Sequence, residues 1–198
     1  MNERDPGIAG GREREIRNEA EPTVPPRVYV ASLADYNAGI LHGAWIDAAS
    51  DLDELHAAVD SMLASSPSTA RAEEYAIHDY EGFGHYRVGE YEPVEKVHRI
   101  ARGIAEHGLA FAAWSANAEV DDDLDRFEDV FLGSYESATD YAEQLLEDFG
   151  LHRIIEQHVP DGLQAYVRVD AEALGRDLVL GGDITVEEHD AGVWIFER

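Results

Sequence analysis

Carboxylates are the side chains of this sequence that could do chemistry, and they are densest between residues 119 and 148. Arg126 is the single basic residue of that stretch. Apolar residues recur there with the period of an α-helix, which predicts one amphipathic helix before Gly133 and a second one after it. The carboxylates fall opposite both apolar stripes. We predict one acidic surface made of Glu119, Asp121, Asp122, Asp125, Glu128, Asp129, Glu136, Asp140, Glu143, Glu147 and Asp148.

This array has two interpretations, a solvated face and a binding surface. Like charges four residues apart cost a helix roughly 0.2–0.5 kcal/mol per pair, so an ordered array needs an explanation. At ~1.5 Å rise per residue, the acidic stripe of the second predicted helix spans about 16 Å. Phosphates follow one another every ~3.4 Å along a DNA strand, so the stretch is compatible with a nucleic-acid mimic without proving one.

A calcium site in the same stretch is not predicted. Asp121, Asp123 and Asp125 have the spacing that opens an EF-hand loop. Such a loop needs Gly at its sixth position and Glu at its twelfth. Those positions hold Arg126 and Leu132, so the ligand set is incomplete.

Catalytic and metal-binding patterns were sought among the nine histidines and elsewhere. The histidines lack the short paired spacings of a zinc site. The sequence contains no GxSxG elbow, phosphate loop or GxGxxG motif. We predict no catalytic residue, metal or cofactor, and therefore no enzyme. A hydrolase or metalloprotein that uses His78, Asp79 or His85 stays open as an alternative.

The charge of the whole chain restricts its partners. It contains 42 Asp and Glu against 15 Lys and Arg, which gives a formal net charge of −27. Such a field repels nucleic acid and anionic membranes and attracts basic surfaces, so direct binding to either is not expected. Adaptation to high salt would produce the same composition. An acidic interaction protein without nucleic-acid mimicry is therefore the alternative function.

The compartment follows from cysteine usage and from the N-terminus. The chain has no cysteine, which excludes a disulfide framework and thiol chemistry. We find neither the pattern of a signal peptide nor an apolar run of the ~18 residues that a membrane span requires. A cytoplasmic protein is predicted.

The elements that would position these residues define an α+β fold of three small domains after a disordered tail at 1–26. A β-β-α-β unit is predicted at 27–91, with strands at 27–33, 43–47 and 74–78. An all-helical middle domain is predicted at 92–133, beginning at Pro93. The C-terminal domain, 134–198, is predicted to contain a helix at 161–173 and a hairpin of strands at 183–188 and 192–197.

Three blocks of the sequence resemble the ArdA antirestriction proteins. They are residues 28–47 (VYVASLADYNAGILHGAWID), 74–84 (EYAIHDYEGFG) and 175–196 (GRDLVLGGDITVEEHDAGVWIF). The resemblance extends from about residue 27 to the C-terminus. We interpret the signature residues mainly as turns and packing rather than as a site: Tyr36, Asn37, Gly39, His42, Trp45, His78, Asp79 and Tyr80.

The resemblance implies a function that the composition does not show. ArdA proteins inhibit type I restriction-modification enzymes and are carried by mobile genetic elements. The family implies an elongated, curved homodimer that mimics bent DNA and occupies the DNA-binding groove of the methyltransferase core, with no catalytic residue or cofactor. We expect the dimer surface in the C-terminal half, where the hairpin carries Trp194 and Phe196. Further carboxylates that could extend the acidic array are Asp51, Asp53, Glu54, Glu73, Glu74, Glu90, Glu92 and Glu95.

Overall fold

The structure, a computed structural model, describes residues 24–67, 72–117 and 121–198, with the backbone alone at 121–123. The predicted tail therefore lies outside the described residues except for its last three. Of these, Pro26 is buried and its carbonyl accepts a hydrogen bond from the Ala48 amide at 3.0 Å. The α+β class is confirmed, since helices are combined in the described part of the chain with two three-stranded antiparallel sheets.

The N-terminal unit contains the first sheet. Strands β1 (Arg27–Ser32), β2 (Gly43–Asp47) and β3 (Tyr75–Glu81) pair in the order β2-β1-β3. Between β1 and β2 lies the short helix α1 (Leu33–Asn37), where a loop is expected from the sequence. Helix α2 (Leu52–Ala64) covers one face of the sheet. The predicted β-β-α-β order is thus confirmed, with α1 added.

Two helices follow at the predicted places. Helix α3 (Val94–His107) begins after Pro93, and α4 (Leu109–Asn117) begins after Gly108, whose φ of 74° suits glycine. Proline is favoured at a helix start and glycine at its end, so these two residues define the ends of α3 in the sequence itself. Both helices pack their apolar faces into the core.

The predicted helix that includes Phe131 is wrong. The chain forms a 3-10 helix at Asp121–Arg126, one α-helical turn as α5 (Phe127–Val130), and then strand β4 (Phe131–Tyr135). Phe131 lies opposite Phe196 of the last strand, with ring centroids 5.4 Å apart. This long-range pairing outweighs the local periodicity, so the predicted all-helical middle of 92–133 does not hold at its end.

The second sheet combines β4 with the terminal hairpin. Strands β5 (Ile184–His189) and β6 (Gly192–Glu197) confirm the predicted hairpin, and the strand order is β4-β6-β5. The predicted boundary between residues 133 and 134 falls inside β4. The division of the chain into three domains stays a prediction.

In the sequence, four helices lie between β4 and β5 of the second sheet. They are α6 (Ala138–Asp148), α7 (Leu151–His158), α8 (Asp161–Gln164) and α9 (Ala171–Gly181). The predicted helix at 161–173 is wrong, because α8 ends at Gln164 and a new helix starts after Asp170. The Asp170 carboxylate accepts the Ala173 amide at 2.9 Å and so caps α9.

One hydrophobic cluster extends from the first sheet to the last strand. It includes Val28 and Val30 of β1, residues of α3 and α4, and Trp194 and Phe196 of β6. Helices α7 and α8, which are described in full, bury no residue. The segment from α6 to α9 therefore has little core of its own. Among the described helices, none combines the length and apolar character that crossing a membrane requires.

Candidate functional site

Most carboxylates of the predicted acidic surface lie in the described residues, where they form two groups. Glu119 and the side chains of Asp121 and Asp122 lie outside the described residues. The remaining carboxylates are exposed. The first group consists of Asp125, Glu128 and Asp129, and the second group consists of Glu136, Asp140, Glu143, Glu147 and Asp148.

The first group is partly neutralised by helix α3. Arg99 contacts Asp125, with Nη2 3.1 Å from Oδ1. An open cleft of about 510 Å³ lies between α3 and the 3-10 helix, and Arg102 and Glu128 also line it. The pairing was invisible in the sequence because Arg99 and Asp125 are 26 residues apart. The negative field of this group is therefore weaker than its carboxylate count suggests.

The second group forms an acidic face on α6. Ala142 on the opposite face of the helix is fully buried, and Glu143 and Glu147 are exposed to solvent. Glu136 is also exposed, but it precedes the Ser137 cap of α6. Among the described residues, these three side chains form no ion pair. The predicted helix is confirmed from Ala138 to Asp148, whereas the predicted position of Glu136 on its acidic stripe is wrong, because the helix begins after that residue.

Two carboxylates of the second group also support the helix itself. The Ser137 hydroxyl accepts the Asp140 amide at 3.1 Å, and Asp140 accepts the Glu136 amide at 3.3 Å. These bonds cap the N-terminus of α6, where negative charge is also favoured by the helix dipole. Near its C-terminus, Asp148 accepts a hydrogen bond from the Gln144 side chain at 2.9 Å. Asp140 and Asp148 thus have local structural roles in addition to their charge.

The carboxylates that were predicted to extend the acidic array also differ in whether they have local partners. Asp51 caps α2 by accepting the Asp53 amide at 2.9 Å. Glu92 lies 3.4 Å from the Lys96 ammonium, and Glu95 lies 3.4 Å from the His56 ring. Most of this set therefore has local partners, and Asp53 stays exposed on the first turn of α2.

Tyrosine pKa values reflect the acidic surroundings. A hydrogen bond to Glu90, and the charge of that carboxylate, raise the pKa of the exposed Tyr91 phenol. Partial burial raises the pKa of Tyr141, which lies on α6, and Tyr135 and Glu197 raise it further. In both cases neighbouring negative charge disfavours the phenolate.

The terminal hairpin does not provide the expected dimer surface. Trp194 and Phe196 are 6% and 2% exposed and belong to the core cluster. Large apolar side chains are instead exposed on and between α6, α7, α8 and α9. This set, the C-terminal apolar surface, consists of Phe149, Ile154, Leu163, Tyr166, Val167, Val169, Val179 and Leu180.

This surface was not predicted from the sequence, although part of its apolar pattern is visible there. Leu151, Ile154 and Ile155 have the spacing of an apolar helix face, and the sequence gives no sign that this face lacks a partner. Leu178–Leu180 is an apolar run in a helix that was not predicted. Only the structure shows that these faces stay uncovered.

The residues of the alternative catalytic site contact different neighbours. His78 packs edge-on against Tyr36 with ring centroids 4.8 Å apart, and Asp79 accepts the Tyr80 amide at 2.8 Å. His85 lies near Trp194. Within the described residues, no group of three or more potential ligands could hold a metal ion. All three side chains are exposed.

The fold and the surface together define an acidic α+β protein with exposed carboxylates along one side of α6. The family model for the antirestriction protein ArdA matches residues 28–192, and the chain therefore belongs to the ArdA family. This is a family of inhibitors, so membership supports an antirestriction function and an interaction with restriction-modification enzymes. No curated protein matches the sequence as a relative.

Proposed function

We propose that the protein inhibits type I restriction-modification enzymes by occupying their DNA-binding groove, with carboxylates in place of phosphates. The observation that carries this proposal is the acidic face of α6 with Glu136 just before it, where Glu136, Glu143 and Glu147 are exposed without an ion pair among the described residues. Lys and Arg of a DNA-binding groove would pair with them. Inhibition would take place in the cytoplasm of a cell that has received a mobile element encoding the protein.

The spacing on α6 supports a continuous contact. Asp140, Glu143 and Glu147 lie three and four residues apart, which places them on one side of the helix. At ~1.5 Å per residue they span about 10 Å, and Glu136 extends the line beyond the N-terminus. A groove that binds phosphates every ~3.4 Å along a strand would contact several of these carboxylates at once.

We propose that α6 contributes more to binding than the first group. Asp125 already contacts Arg99, so its negative charge attracts a partner less strongly. A second basic side chain, Arg102, lines the same cleft. The α6 carboxylates form no ion pair with a described base, so a partner would meet charges that no salt bridge has reduced.

We also propose a homodimer that forms through the C-terminal apolar surface. Leu180 and Tyr166 are 77% and 82% exposed, and α7 buries no residue. Covering apolar area contributes roughly 25 cal/mol per Å². A second copy would provide the core that α7 to α9 lack, and it would continue the acidic surface on the other protomer.

Competition with DNA tests the mimicry. The protein is titrated against a labelled duplex bound to a type I methyltransferase at several salt concentrations. Displacement is expected at low salt and should weaken as salt increases, because binding releases counterions as DNA binding does. Failure to displace the duplex at low salt, by a protein that is folded, would exclude the proposal.

High-salt adaptation without mimicry predicts a different result. A protein whose acidity serves only its solvation would gain stability with salt and would not compete with DNA. The same titration, combined with urea denaturation at each salt concentration, separates the two functions.

A further inference from the structure

The first sheet has an open edge at β2. The Ala48 amide donates to the Pro26 carbonyl and the Ser32 amide donates to the His42 carbonyl, both at 3.0 Å. Antiparallel pairs alternate between bonded and non-bonded positions, so Gly43 and Trp45 direct their backbone amides and carbonyls away from β1. Among the described residues, no strand lies beyond β2.

The other three edges in the described part of the chain are protected. The pairing of β3 with β1 contains a bulge, and the Ile77 amide donates to the Glu90 carbonyl at 2.9 Å. The β4 edge is also bulged, and β5 carries Glu187 and Glu188. Bulges and charges are the usual devices against pairing with another chain. The segment Gly43–Ile46 has no bulge, charge or proline.

Exposed apolar side chains adjoin this open edge. Leu41, two residues before the start of β2, is 91% exposed, and Ile40 is exposed beside it. Trp45 lies on the outer face of the sheet and is exposed as well. Apolar groups gathered beside unpaired backbone are typical of a surface that binds another chain.

The charges around the edge indicate the chemistry of the partner. Asp47, Asp51 and Asp53 are exposed near the C-terminal end of β2. The nearest described base on the outer face is Arg27, which lies over the Trp45 ring and contacts Glu81 at 2.6 Å. The surface is therefore apolar at one end and negative at the other.

We propose that β2 binds an extended segment of a partner protein, with alternating apolar and basic residues, as a fourth strand of the first sheet. The backbone of Gly43 and Trp45 would supply the hydrogen bonds. Leu41 would contact apolar side chains of the segment, and Asp47 would attract its basic ones. This inference goes beyond the proposed inhibition of restriction enzymes and does not depend on it.

Amide hydrogen exchange measured by NMR tests the proposal. The probe is a capped peptide of alternating valine and arginine, added to the full chain. Exchange at Gly43 and Trp45 is expected to slow, whereas Ala44 and Ile46, which already pair with β1, should change little. No slowing at Gly43 and Trp45 with saturating peptide would overturn the proposal.

A matched peptide separates strand addition from charge attraction. The same sequence, N-methylated on the amides that would face β2, keeps its charge and loses its donors. Its affinity should fall at least about tenfold, because it loses the hydrogen bonds that its amides would donate to β2. Equal affinity would mean that charge alone attracts the peptide, and the proposal would fail.

Two protein variants complete the test. Leu41→Asp should weaken peptide binding about tenfold through lost apolar contact. Tyr91→Asp, at a residue that is 71% exposed outside β2, should leave the affinity unchanged. Equal losses in both variants would contradict specific binding at β2.

Slow exchange of Gly43 and Trp45 in the protein alone would also contradict the proposal, because this chain or a second copy would then cover β2.

Discussion

Gly175 lies inside helix α9, where glycine ordinarily weakens a helix. It is buried at the contact with α6, and a Cβ placed on it would lie 2.6 Å from the Ala138 carbonyl oxygen. The residue is therefore required by close packing of two helix backbones rather than by a turn. A glycine inside a helical pattern also weakens the sequence signal for α9, which was not predicted.

Gly175→Ala is expected to lower the free energy of unfolding by about 1–3 kcal/mol, because α6 and α9 must move apart. Gly162→Ala is the matched control, since a Cβ added there would meet nothing within 4 Å. That change should be neutral or stabilising by up to about 1 kcal/mol. Urea denaturation of both variants measures the difference. Equal midpoints would contradict the close contact.

The raised pKa of Tyr141 predicts that the protein loses stability at alkaline pH. Its pKa is raised in the folded protein, mainly by burial, so folding favours the protonated phenol. This contribution is complete below the ordinary pKa of about 10 and is lost as the pH rises through the folded value.

Tyr141→Phe should therefore flatten the decline of stability above about pH 10. Tyr166→Phe serves as the control, because Tyr166 is almost fully exposed. Denaturation midpoints between neutral and alkaline pH provide the measurement. An unchanged slope in Tyr141→Phe would show that other groups cause the decline.

At the scale of elements, α6 and the segment at Asp125 make a matched comparison. Both carry carboxylates. Arg99 contacts Asp125, whereas no described base forms an ion pair with the α6 carboxylates. The triple variant Glu136→Gln, Glu143→Gln, Glu147→Gln should weaken DNA displacement at least about tenfold, at ~0.5–1 kcal/mol per lost contact. The salt dependence of its binding should also become shallower, because fewer screened charge pairs form with the enzyme.

The control removes the same charge from the first group through Asp125→Asn, Glu128→Gln and Asp129→Asn. A smaller loss of inhibition is expected there, because bases of α3 already compensate part of that charge. Single substitutions in either group should have little effect, since many weak contacts share the binding. If Asp125→Asn alone abolished inhibition by a folded protein, the distributed contact would be wrong.

The elements also show what the sequence can predict. Helix α3 was predicted because periodicity, Pro93 and Gly108 all agree. The start of β4 was not predicted, because Phe131 has helical spacing but pairs with Phe196, a residue 65 positions later. The orientation of the α6 carboxylates followed from their position opposite Ala142. Their freedom from ion pairs, and the compensation of Asp125, depend on three-dimensional neighbours.

At the scale of the whole molecule, the uneven core has a consequence for assembly. The hydrophobic cluster includes β1, α3 and β6, whereas α7 and α8 bury nothing. A lobe with so little buried apolar area gains stability when a partner covers it. The proposed dimer is therefore coupled to the stability of the C-terminal helices.

Leu180→Asp should shift the protein toward monomer, raising the dimer dissociation constant at least about tenfold through lost burial. It should also remove any dependence of the thermal midpoint on protein concentration. Tyr91→Asp is the control outside this surface. Sedimentation analysis over a concentration series measures both variants. A wild-type protein that stays monomeric throughout would exclude the dimer.

The position of β6 has a consequence for synthesis of the protein. This strand lies between β4 and β5, and its Phe196 is buried in the core. Neither neighbour can acquire its partner until β6 has been synthesised and has left the ribosome. The nascent chain therefore carries an unfinished second sheet until β6 emerges, although β4 was synthesised about 60 residues earlier.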